Sequence, residues 1–168
     1  MVRVQEATRN AVSSAAVAQG FVRVALGMPK AYKHLELWAS VELPYAQRGG
    51  TDFLFRQRDF VMIDSSDPSW IIVRVTSRCI TFDVVVAHAP HSAIADDKAS
   101  TWWESFRAAI RARKKPSPPL VMLIDANAAV GSVTSQHVGP FGAEDENRNG
   151  NHLQWFLLRG GHLHSIDV

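Results

Sequence analysis

An aspartate and an asparagine two positions apart, closing an unbroken apolar run, are the residues of this 168-residue chain best placed to do chemistry. The run is Leu120-Val-Met-Leu-Ile and it leads into Asp125-Ala-Asn127. In an extended segment residues i and i+2 point to the same side, so the carboxylate and the amide would converge on one point. A carboxylate there can orient a water or hold a cation, and an amide can donate to a phosphoryl oxygen. The plainer alternative is that Asp and Asn only end a strand by making a turn.

Two further pairs of apolar run and polar end share this form. Val84-Val-Val-Ala runs into His88-Ala-Pro90-His91. His88 could bond a phosphate or ligate a metal, or be a satisfied polar residue where Pro90 stops strand pairing. Near the N-terminus Val2-Arg-Val alternates into Gln5-Glu6. Glu6 offers the hard oxygen that a divalent cation takes, or is an exposed acid. Glu144-Asp145-Glu146, before an expected helix, reads as a solvated acid cluster rather than a metal site.

The elements that must position these side chains are mostly strands. Ile80, Phe82, Val84 and Val86 recur at period two, and Val85 and Ala87 are apolar as well, which predicts a strand covered on both faces. Trp70 to Val75 and Asp59 to Ile63 are β-rich runs separated by Ser-Ser-Asp-Pro, and Leu35, Leu37 and Ala39 alternate in another. Leu120 to Ile124, apolar throughout and entered from prolines, predicts a buried central strand. Trp103, Phe106 and Ile110 lie at helical spacing over 100–113, with Thr101 to Glu104 matching a capping box and one of Trp102 and Trp103 expected in the core. A second helix is predicted over 149–159, its inner face Leu153, Phe156 and Leu157 and its end at Gly160-Gly161. The order of strands and helices predicts an α/β layered domain.

Taken in order, Gln5-Glu6, Leu35-Glu-Leu-Trp38, Val-Ala-His88-Ala-Pro90, Ile-Asp125-Ala-Asn127 and Gly139-Pro-Phe-Gly-Ala-Glu-Asp-Glu-Asn147-Arg-Asn-Gly resemble the endonuclease/exonuclease/phosphatase superfamily. The likeness is to its DNase I-like and AP-endonuclease-like members, above all the endonuclease domains of non-LTR retrotransposons. It implies a four-layer α/β sandwich and Mg²⁺- or Mn²⁺-dependent hydrolysis of phosphodiesters, with DNA as the substrate. It gives Glu6 the metal, Asp125 the attacking water or the role of acid, Asn127 the phosphoryl group, and His88 the place usually held by tyrosine. Ile124 stands where the family has glycine. The resemblance further implies one domain over 1–168 that is truncated, without the family's first strand and without its C-terminal Ser-Asp-His motif, for which His162, His164 and Asp167 do not substitute. A non-catalytic nucleic-acid-binding remnant, or a phosphatase acting on a small phosphorylated ligand or lipid headgroup, are the competing expectations.

Composition bounds these readings loosely. The hydrophobic fraction is 46%, the charged fraction 20% and the net charge +2, so clustering of charge matters more than its sum. No apolar stretch reaches the roughly 18 residues of a membrane-spanning helix, and no membrane partner is expected. The single cysteine, Cys79, forms no internal disulfide or Cys-based zinc site and reads as a small buried hydrophobe. It suits a reducing compartment, nuclear or cytoplasmic. Arg111, Arg113, Lys114 and Lys115 form a basic helix end, and Arg56 and Arg58 between Phe53, Phe55 and Phe60 suggest a strand with one basic face.

Overall fold

The computed structural model describes residues 2–8, 17–18, 20–27, 33–113, 117–131 and 145–159, with 2–8, 17–18, 33–34 and 159 described by their backbone alone. Its elements are β1 (Val2–Thr8), β2 (Val17–Ala18), β3 (Phe21–Leu26), β4 (Lys33–Ser40), β5 (Ala46–Arg48), β6 (Thr51–Phe53), β7 (Phe60–Asp64), β8 (Trp70–Thr76), β9 (Thr81–His88), α1 (Asp96–Arg111), β10 (Leu120–Asp125) and α2 (Arg148–Arg159). The chain is α/β and divides into two compact units, one within Met1–Ala87 and Lys114–Leu123, the other within His88–Arg113 and Ile124–Val168.

The first unit holds two four-stranded sheets, ordered β1-β4-β3-β2 and β10-β9-β8-β7, and the small β5-β6 hairpin. Period-two alternation decides its core. Ile71, Val73 and Val75 of β8 pair with Val86, Val84 and Phe82 of β9, so these side chains share one face. They meet Ala25, Leu35 and Leu37 of the first sheet, with Phe55 closing the cluster. Each such Val, Leu or Ile contributes about 1.5–3 kcal/mol when fully buried. Ile72 and Val85, on the opposite parity, are buried too. The continuous apolar run of β9 therefore reports a strand covered on both faces.

Polar groups inside this unit are paired. Asp83 is fully buried and accepts from Arg74 Nε at 2.7 Å and Nη2 at 3.0 Å, the two residues being cross-strand partners. That hydrogen bonding to Asp83 raises the Arg74 pKa further above its ordinary value, against the opposing pull of burial. Buried Glu36 accepts from Arg23 Nη1 and Trp38 Nε1, both at 2.8 Å.

β9 and β10 run parallel. Asp83 N donates to Pro119 O and Ala89 N donates to Asp125 O, each at 2.8 Å, so both chains advance together. A parallel pair needs a long crossover, and here the crossover carries α1. Parallel pairing also brings the carboxyl ends of both strands to one edge, which is what places His88 near Asp125.

Several expectations are corrected. β10 stands last in its sheet among the described strands and is half-buried rather than buried. Ile80 and Cys79 lie in the turn before β9 and are exposed, because Ser77 Oγ and N bond the Ile80 carbonyl and start the strand one residue later. The Phe53–Phe60 stretch is not a strand: β6 ends at Phe53 and a 3-10 turn occupies Gln57–Asp59. Helix α1 starts at Asp96 with Ala95 as its N-cap, so Thr101 is interior and its hydroxyl bonds the Asp97 carbonyl, making no cap. Lys114, Lys115, Glu144, Gly139 to Gly142, Gly160-Gly161, His162, His164 and Asp167 fall outside the described residues.

In the second unit Ala99, Trp103 and Phe106 line the buried face of α1, at i, i+4 and i+7. Phe106 stacks on Phe156 of α2 at 5.4 Å, and Trp103 lies 6.1 Å from the His152 ring at an interplanar angle of 19°. Burial lowers the His152 pKa below its usual 6.5; Asp96 and Glu104 oppose the shift, while Arg148 and Arg107 reinforce it. A histidine kept neutral by folding costs stability when the unfolded chain takes up a proton first. Stability is therefore expected to be complete above 6.5 and to fall as pH drops from there toward the folded-state pKa. Urea midpoints at about pH 7.5 and about pH 5.5 should differ in that sense, and His152→Gln should shrink the difference. An unchanged difference would assign the pH dependence to other groups.

Candidate functional site

His88 ends β9 and Asp125 ends β10, and parallel pairing sets their side chains side by side. His88 Nε2 stands 3.9 Å from Asp125 Oδ2, with the two side chains 35% and 66% exposed. At that spacing one oxygen atom can lie at ~2.8 Å from both groups, the length of an ordinary hydrogen bond. The pair thus defines a solvent-facing position for a water that donates to Asp125.

Asn127 reaches the same edge by a different route from strand alternation. Its φ is +47°, in the left-handed region that asparagine tolerates better than most residues. The strand ends at Asp125, and Asn127 N donates to Asp125 Oδ1 at 3.0 Å, so the aspartate forms an Asx turn. The turn reading of the Asp-x-Asn pattern is the one this geometry shows, and the extended i, i+2 arrangement is replaced by a left-handed turn. Asn127 Nδ2 then donates to the Ala89 carbonyl at 2.9 Å, tying the β10 end to the residue after His88.

The start of α2 braces this turn. Asn147 Nδ2 donates to the Asn127 carbonyl at 3.1 Å, and Asn149 Nδ2 donates to the same oxygen at 3.3 Å and to Pro90 O at 2.7 Å. Asn149 is buried, and its own Oδ1 accepts from Trp103 Nε1 at 3.3 Å, which connects the turn to the aromatic core of the unit. Asn147 Oδ1 caps α2 by accepting from Gly150 N at 2.8 Å. Arg148 Nη2 donates to the carbonyls of Ser92 and Ile94 at 2.8 and 2.5 Å. Its Nε lies 3.3 Å from Asp96 Oδ1, an ion pair not aligned as a hydrogen bond. The loop after His88 is thereby fastened to α2.

Of the residues singled out from sequence, His88, Asp125 and Asn127 come together. Glu6 lies at the register position opposite Leu35, with its side chain outside the description. His91 is exposed and its Nδ1 accepts from Ala93 N, a local turn bond. Among the described residues no group of three His, Cys, Asp or Glu side chains is placed to hold a metal. Asp125 contributes one exposed carboxylate, and no chemical step through a metal follows from the described set. Asn149 and Gly150, legible in the sequence only as part of the segment that opens the second helix, are positioning residues whose contacts sequence reading did not give. Their signal was present as Asn-x-Asn-Gly before an apolar helix face, but it reads as a turn until the partners on Pro90, Asn127 and Ala129 are seen.

What this edge can do chemically is bounded by its solvent-facing groups, an imidazole and a carboxylate, with the Asn127 amide engaged on the Ala89 carbonyl. No helix of the described residues is long and apolar enough to cross a membrane. No protein-family model, no curated protein and no solved structure matches this chain.

Proposed function

We propose that the protein is a phosphodiester hydrolase of the endonuclease/exonuclease/phosphatase kind, with the four-layer α/β sandwich of that superfamily and DNA as its substrate. The observation that carries this reading is the convergence of His88, Asp125 and Asn127 at the ends of two parallel strands, with His88 Nε2 and Asp125 Oδ2 3.9 Å apart. In this reading Asp125 accepts a proton from the water as it attacks phosphorus, and the P–O bond to the leaving oxygen breaks, that oxygen taking a proton from solvent. His88 bonds a non-bridging phosphoryl oxygen. Asn127 holds the β10 end against Ala89, so that both groups address one phosphorus. Magnesium, which the family resemblance implies, would supply charge neutralisation at the phosphoryl oxygens. Asp125 is the carboxylate at this edge that the proposal offers it.

The test is nicking of supercoiled plasmid in magnesium, with chelator as control. Wild type is expected to nick, and Asp125→Ala to lose at least ~100-fold in rate, the lower range for removing a positioned acid–base group. Equal nicking by both proteins, or none above buffer by either, overturns the proposal. Binding without cleavage would place the chain among non-catalytic modules.

A further inference from the structure

We propose that the end of the first unit built around the β5-β6 hairpin is a second, separate binding surface, which takes the phosphate backbone of duplex nucleic acid through Arg48, Arg56, Arg58 and Arg78. An aromatic cluster lies on the segments that carry these arginines. β5 and β6 pair from Ala46↔Phe53 to Arg48↔Thr51, leaving Gly49 and Gly50 at the tip. Tyr45, just before β5, stacks on Phe55 at 4.3 Å, and Phe55 packs edge-on against Phe60 at 5.4 Å. Arg56 and Arg58 branch from the short segment between those two phenylalanines. The turn between β8 and β9 joins them, with the Arg78 guanidinium 5.7 Å from the centre of the Phe53 ring.

Three observations distinguish this surface from an ordinary solvated one. All four arginines are exposed, and among the described residues none has a carboxylate within ion-pair distance. The two acids in the same segments are engaged elsewhere: Asp52 accepts from Gln47 Nε2 at 2.8 Å and Asp59 from Arg56 N at 2.9 Å. Residues 45–60 and 77–80 carry four arginines against two aspartates, a surplus equal to the +2 of the whole chain. The tip is also open. Gly49 and Gly50 have φ of +57° and +74°, and a Cβ on either would meet nothing within 4 Å, so a phosphate can approach the backbone.

The residue type points to nucleic acid. No lysine lies between Lys33 and Lys98, and every cation of the patch is a guanidinium. Guanidinium forks match phosphate oxygens bidentately and are drawn to aromatic faces, as Arg78 is to Phe53. Contacts of this kind position a duplex without reading its bases. None of these residues belongs to the His88–Asp125–Asn127 cluster, so the inference does not depend on hydrolysis.

Fluorescence anisotropy of a labelled duplex of about 20 base pairs, in chelator and at salt from about 50 to about 200 mM, tests it with the full chain. Four phosphate contacts predict a log–log salt slope of roughly −3.6, a loss of roughly a hundredfold over that range. Changing all four arginines to alanine is expected to flatten the slope and abolish binding, while the four Arg→Lys changes keep the slope. Circular dichroism establishes that each variant folds. Should the quadruple variant fail to fold, Arg78→Ala alone is expected to reduce the slope by about 0.9. Absence of wild-type binding at the lowest salt overturns the proposal, as does a slope the arginine variants leave unchanged. Binding to vesicles containing phosphatidylserine but not to the duplex overturns it as well.

Discussion

Arg74→Met is expected to destabilise the protein by about 3–5 kcal/mol, the largest effect of any single substitution considered. The reason lies in the asymmetry of the pair. Asp83 is fully buried and its carboxylate takes both Arg74 bonds, whereas the Arg74 side chain is 22% exposed. Methionine fills much of the volume of the arginine stem, so little packing is lost. What remains is a buried charge without its cation, and removing one partner of such a pair costs far more than the pair itself contributes. Replacing both, as Arg74→Met with Asp83→Leu, is expected to recover most of the loss. Urea unfolding of the two single variants and the double gives the coupling directly. A single-variant loss below about 1 kcal/mol would mean that the Asp83 carboxylate is solvated.

Gly150→Ala carries the second largest effect, and its sign is the informative part. Within a helix this change ordinarily stabilises by about 0.5–1 kcal/mol, because alanine loses less backbone entropy on folding. Here a Cβ would overlap the Ala129 carbonyl oxygen and stand 2.7 Å from the carbonyl carbon. Both obstacles are backbone, and the oxygen already accepts from Asn147 N at 3.0 Å. The first turn of α2 would have to retreat, straining the bonds from Asn147 and Asn149 to the Asn127 carbonyl. A destabilisation of about 3 kcal/mol is expected, at the upper end of overpacking costs. Equilibrium unfolding decides it: a stabilised Gly150→Ala would show that α2 does not approach the Asn127 turn so closely. The substitution also separates fold from site, since its damage is aimed at the turn that presents Asp125 and Asn127.

Much of the secondary structure was legible in the residues. The apolar runs Trp70–Val75 and Val84–Ala87, and the helical spacing of Trp103 and Phe106, were legible as buried strands and a buried helix face, because residue type and its repeat report which sides are covered. β3 and the β5-β6 hairpin went unread, being short or without clean alternation. The run in β10 was legible as a strand, but its half-burial was not, since an apolar run does not say how much of each face the rest of the chain covers.

The candidate site divides along the same line. Its residue types, and the fact that apolar runs end in His88 and Asp125, belong to the sequence alone. The 3.9 Å between those side chains belongs to the tertiary structure, because it depends on β9 and β10 lying parallel and adjacent across a crossover of more than 30 residues. So does the role of Asn127. Sequence spacing suggested an extended i, i+2 pair, and the structure makes it a left-handed Asx turn held by Ala89, Asn147 and Asn149. Local sequence sets which backbone states a residue tolerates. Which of those states is occupied depends on hydrogen-bond partners that the chain brings in from 20 to 38 residues away, and only the folded chain supplies them.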